Sequence, residues 1–229
     1  MSANSVSTFE RVNVRTFAKH AWIERSLVAL WMAALVGYFG PWVARRPVSA
    51  ALSWNAYDLF DLLRLLPEIQ SGTLSVNPQA LQLPLLALAV LLPVLAFRSP
   101  VLVRVSAAAV GSGLAALTLP PYPEILTAWK TPGWRVPFWW GVGCILCTWI
   151  AIWAGPRLGR ARHWLAIAAT ELAVLPAAVT LARLSPALRA LHAAPVKPGW
   201  GFWVCAIGLG LMGVLEVFRA WEITDGQHA

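Results

Sequence analysis

Six stretches of the chain are apolar almost from end to end, with neither the two-residue alternation of a half-buried strand nor a sustained polar helical face. They are Trp22–Ala44, Ala80–Phe97, Val101–Leu119, Pro137–Gly155, His163–Arg183 and Trp200–Trp221. Crossing a bilayer core takes about 20 apolar residues in a helix, so the pattern predicts six transmembrane helices. The second run is short, and Pro84 and Pro93 predict a bend in it unless neighbouring helices satisfy the freed carbonyls. One segment follows another rule. Over Ala56–Leu66, Leu59, Leu62, Leu63 and Leu66 recur at helical spacing opposite Asp58, Asp61 and Arg64, with Ser53 or Asn55 placed to cap the helix. This amphipathic helix is too short to span. It is expected on the outer surface or folded back over the bundle.

Between the runs the chain repeats itself. Lys130-Thr-Pro-Gly-Trp134 returns as Lys197-Pro-Gly-Trp200, each copy opening an apolar run, and Pro67-Glu-Ile69 returns as Pro123-Glu-Ile125. Helices 1–2, 3–4 and 5–6 then form three hairpins pointing the same way, as parallel repeats about the membrane normal would. The fold class expected is an all-α polytopic integral membrane protein of about six helices with structured outer loops. Its parts are a polar tail over 1–21, a transmembrane domain over 22–221 and a short tail over 222–229.

Composition agrees with a membrane solvent. The 229 residues are 59% hydrophobic and only 12% charged, against roughly 25% charged in a soluble domain. The 14 Trp suit membrane interfaces. A net charge of +8 would suggest nucleic acid in a soluble protein; here the cations lie in the tail and between apolar runs, which points to anionic lipid headgroups and not to nucleic acid. The tight basic loops Phe97–Pro100 and Pro156–Arg162 set the orientation. Both termini are expected to be cytoplasmic, in a plasma (inner) membrane, and the first run, lacking a small-residue cleavage site, reads as an uncleaved helix.

The candidate chemistry is sparse. Glu171 falls near the middle of run five, about 12 Å along the helix from His163 at ~1.5 Å per residue, where an ionised carboxylate is costly unless paired, protonated or hydrated. Glu216 and Arg104 lie toward the same inner half. The three form a charge cluster that either fixes helix packing through a Glu–Arg pair or serves transport; Glu171 is expected to face the bundle interior with Arg104 or Arg219. Gly208-Leu-Gly-Leu-Met-Gly213 matches the dinucleotide fingerprint but sits inside an apolar run with no strand before it, so it reads as helix packing. Cys144-x-x-Cys147 and Cys205 have no charged neighbours to make a thiolate and read as small buried hydrophobes. His20, His163, His192 and His228 offer no facing pair for a haem, Ser106 and Ser112 have no nearby base, and no phosphate-gripping loop is present.

No catalytic residue, metal ligand or cofactor is therefore assigned. On the outer face, Leu59, Leu62, Leu63, Trp134 and Trp200 are the expected contacts for a partner or lipid. The leading functional expectation is a non-catalytic membrane subunit, or small permease-like component, with protein partners in the membrane. The alternatives are a stand-alone transporter or channel using the intramembrane carboxylates and, behind it, a membrane-embedded lipid enzyme.

Overall fold

The computed structural model describes residues 22–45, 53–74, 76–154, 157–192 and 196–225. The tail with Arg11, Arg15 and Lys19, the flanking Arg46, and residues 226–229 lie outside the described residues. The described chain is predominantly helical, and four of its helices are long and apolar enough to cross a membrane: α1 (Trp22–Phe39), α6 (Pro132–Ala154), α7 (Ala161–His192) and α8 (Trp200–Asp225). Two further apolar helices are shorter: α4 (Leu83–Leu95), continued by a 3-10 turn to Arg98, and α5 (Val101–Ala116). Between α1 and α4 lie the amphipathic α2 (Ala56–Leu65) and a single turn, α3 (Pro67–Gln70).

The shortest apolar helix is the central one. α4 packs on α5, α6 and α7, and Leu85, Leu88, Ala89 and Leu91 are all but fully buried. Pro84 sits in its first turn, where no helical N–H is required, and so causes no bend. Pro93 is internal and withholds an N–H from the Ala89 carbonyl. Gly111 of α5 packs directly against that carbonyl, and a side chain at 111 would collide with it. At the preceding residue the Trp31 indole N–H of α1 donates to the Leu88 carbonyl at 2.8 Å. Neighbouring helices thus close over the backbone that the proline opens. In lipid, association depends on such close packing more than on exclusion of water.

Helices α1 and α8 approach until their backbones touch. A Cβ on Gly37 would fall 2.4 Å from the Cys205 nitrogen, and one on Gly208 would fall 3.0 Å from the Ala34 side chain. The dinucleotide-like glycines are therefore spaced for helix contact: Gly208 meets α1, Gly213 meets Thr170 of α7, and Gly210 faces open space.

A small sheet was not anticipated from an all-α pattern. Strands β1 (Val43–Arg45), β2 (Ser53–Trp54) and β3 (Val196–Pro198) form an antiparallel sheet in the order β2-β1-β3. The strands are two or three residues long, too short for alternation to register in the sequence. Their work is to tie the exit of α1 to the entry of α8, helped by Gly199 N–H to Trp42 O at 2.8 Å and Gly201 N–H to Pro41 O at 2.9 Å. The two Pro-Gly-Trp copies also part ways here. Pro132 to Trp134 is already the first turn of α6, whereas Pro198 ends β3 and Trp200 starts α8. Pro186, which falls beyond the fifth apolar run, lies inside α7, which runs on to His192.

Candidate functional site

The densest group of charges lies where four helices end together. Glu24 stands in the first turn of α1, Arg98 just after α4, Arg162 and His163 at the start of α7, and Glu216 and Arg219 in the last turns of α8. His163 Nδ1 and Glu216 Oε2 are 2.5 Å apart. Arg162 Nε donates to His163 Nε2 at 3.1 Å. Because an arginine N–H can only donate, Nε2 must be the bare nitrogen, and the ring proton sits on Nδ1, facing the carboxylate. Arg219 donates from Nη1 to Glu216 Oε1 at 3.2 Å and from Nη2 to Glu24 Oε1 at 3.4 Å. Arg98 reaches the same Glu24 oxygen at 3.3 Å. The Arg162 guanidinium rests 3.5 Å above the centre of the Phe97 ring, a cation–π contact strengthened by desolvation.

His163 and Glu216 are almost completely buried, at 2% and 4% exposure. Their polar atoms find partners within the chain, which is the condition under which buried charges hold a structure together. Chemically this is a closed network: it anchors the ends of α1, α4, α7 and α8 at one level. Arg104 lies apart from it. Its Nη1 donates to the Ile152 carbonyl near the end of α6 at 3.4 Å, and its buried Nε has no hydrogen-bond partner.

The three residues expected to cluster are thus not brought together. Glu216 joins Arg219 and His163, Arg104 joins α6, and Glu171 stands alone. Glu171 is exposed on α7 and not turned into the bundle, and it has no hydrogen bond or ion pair among the described residues. Its Oε1 lies 3.4 Å from where a Cβ at Gly213 would stand, so it runs alongside α8 at that glycine. From the sequence, His163 stands out only as lacking a facing histidine for a haem, and Glu24 does not stand out at all. The available signal was positional: each lies at the end of an apolar run that an antiparallel bundle brings to the same level as Glu216.

At the opposite end, Asn55 caps α2 by accepting the Asp58 N–H at 2.8 Å. Leu59 and Leu63 are fully buried in the same core as Trp42, Leu81 and Leu85, and Leu62 packs against it half-buried. The apolar face of α2 is therefore covered by the chain's own bundle. Arg64 stacks 3.1 Å above the centre of the Trp134 ring, linking α2 to α6, while Trp200 is 54% exposed with its ring edge against Gly40. A cavity of about 730 Å³ opens between Tyr57, Asp61, Arg64, Gln82, Thr118 and Trp134. Burial at its wall raises the Asp61 carboxyl, against the pull of Arg64, and burial lowers Arg64 and raises Tyr57.

Of the three cysteines expected to be buried only Cys205, on α8, is; on α6 Cys144 is half-buried and Cys147 exposed, and all three are free thiols. No protein-family model, curated protein or solved structure matches the chain.

Proposed function

We propose that this chain is a non-catalytic integral membrane subunit, and that a partner's transmembrane helix seats on the α7–α8 face around Glu171. The observation that carries the proposal is the contrast between the two carboxylates that lie within apolar helical runs. Glu216 is fully compensated inside the chain, whereas Glu171, ten residues into α7, is exposed and has no partner among the described residues. Left against lipid, an acidic side chain near a helix centre costs about 2.5–3.5 kcal/mol on insertion scales. A partner helix carrying Lys, Arg or His at that depth removes the cost. The surrounding surface suits a helix: Leu175 and Val214 are exposed and Gly210 has open space beside it.

The transporter reading is the weaker one. It requires a hydrated path leading to the carboxylate, and neither groove beside α4 includes Glu171 in its lining. Transport stays with the partners, in which case the chain is a permease-like accessory.

The same reading counts six spans with both termini on the cytoplasmic side of a plasma membrane. Its support is the meeting of the start of α1, the end of α4, the start of α7 and the end of α8 in one charged network. Leu83–Arg98, 16 residues long, covers only about 24 Å at ~1.5 Å per residue, so the bilayer thins locally or the short helix stays shielded by its neighbours. The three-hairpin repeat rests on sequence alone.

The test compares Glu171→Leu with wild type. The isolated variant is expected to insert and fold at least as well in lipid, while the native complex falls apart in mild detergent. Unchanged complex integrity with a destabilised chain would assign Glu171 to internal packing; an intact complex with lost flux would assign it to transport.

A further inference from the structure

A groove of about 640 Å³ runs between α1, α4 and α5 toward the charged end of the bundle. Its floor and walls are apolar, with Leu27, Val28, Leu92, Val103 and Val110 among them, and its mouth holds Glu24, Arg25, Ser99 and Arg219. The charges at that mouth do not balance. Glu24 accepts from both Arg98 and Arg219, and Arg219 is shared with Glu216. That leaves Arg25, exposed in the first turn of α1, with no ion-pair partner among the described residues. An apolar slot of membrane depth ending in surplus positive charge is complementary to one molecule class: a lipid with an acyl chain and an anionic headgroup.

We infer that this groove is a specific site for an anionic phospholipid of the leaflet at the charged end. One acyl chain lies between Val28 of α1 and Val103 and Val110 of α5. The phosphate sits at the mouth, held by Arg25, with the Ser99 hydroxyl placed to donate. Basic pockets between transmembrane helices bind acidic headgroups for this reason. The site is separate from the partner surface around Glu171: of its lining residues only Arg219, at the charged end of α8, comes from α7 or α8. Seated there, the lipid packs against both α1 and α5, whose side chains line the groove.

The test uses the full chain in detergent, titrated with phosphatidylglycerol or phosphatidylcholine and read by native mass spectrometry. Wild type is expected to retain one phosphatidylglycerol in preference to phosphatidylcholine. Arg25→Gln removes one exposed cation without touching the core, and is expected to weaken phosphatidylglycerol binding about fivefold, the effect of one basic residue at a membrane surface. Val28→Trp, at a position 51% exposed, fills the slot and is expected to abolish retention of the lipid with the headgroup cations intact. Glycerol phosphate, which carries the headgroup chemistry without acyl chains, is expected not to compete. Equal retention of both lipids, or phosphatidylglycerol binding unchanged in both variants, would overturn the inference. Competition by glycerol phosphate would reduce the site to a phosphate contact and overturn the acyl-groove assignment.

Discussion

Replacing Glu216 with alanine is expected to be the most damaging single change at the charged end of the bundle. Glu216 keeps only 5% of its side-chain exposure, and its two oxygens serve His163 and Arg219, whose side chains are 3% and 10% exposed. Removing it leaves the His163 N–H unpaired and the Arg219 cation with Glu24 alone, in a space water hardly reaches. Breaking a buried pair by deleting one partner costs about 3–5 kcal/mol, most of it the penalty on the group left behind. Glu24 is the internal control. It meets two arginines, but its side chain is 43% exposed, so Glu24→Ala should cost about 1 kcal/mol or less. The assay is unfolding in mixed micelles under increasing SDS, with stability taken from the transition midpoint and slope. Deleting both partners, Glu216→Ala with Arg219→Met, should recover part of the loss, giving a coupling energy of about 1 kcal/mol or more. If Glu216→Ala costs no more than Glu24→Ala, and the double variant is simply additive, the buried network does not hold the helix ends together.

Other expectations follow from single contacts. Gly37→Val should block assembly, since a Cβ there falls 2.4 Å from the Cys205 backbone nitrogen, while Gly143→Ala, with nothing within 4 Å, should be neutral; folded yield in detergent checks both. Asn55→Ala removes the cap on α2 and should cost about 1 kcal/mol, seen as faster amide exchange across Ala56–Leu65. Asp61 has its carboxyl raised by burial, so its contribution to stability is full below the unfolded-state value and is lost as pH rises through the folded one. Asp61→Asn should therefore flatten the stability profile across mildly acidic pH; an unchanged profile would place the titration elsewhere. Cysteines introduced singly at Ser71, Thr131 and Lys197 should react with an impermeant reagent on intact cells, and those at Ser99 and Gly159 should not.

The apolar runs carried the helices because a membrane solvent demands long, unbroken hydrophobic stretches. α6, α7 and α8 are visible in this way, and Asn55 announced the start of α2 by its capping chemistry. Pairing was less legible. Nothing in a run says which way a single carboxylate turns, and Glu171 and Glu216 look alike in sequence although one is exposed and the other buried beside His163. Rotation about a helix axis is set by neighbours such as Gly213 and Thr170, which no local pattern encodes. The sheet was hidden for a related reason: β2 is only two residues long, and β3 is remote from β1 in sequence and meets it only where α1 and α8 pack. The groove beside Arg25 is likewise a property of three helices at once.

The partner surface at Glu171 is tested most directly by a photo-crosslinking amino acid at Leu175, one turn from Glu171 and 61% exposed, illuminated in native membranes. The account predicts an adduct to a different membrane protein, at a helix position within one turn of a Lys, Arg or His, that disappears when Glu171 is changed to Leu and persists with Glu171→Asp. Adducts to lipid alone, or an adduct insensitive to Glu171→Leu, would contradict it.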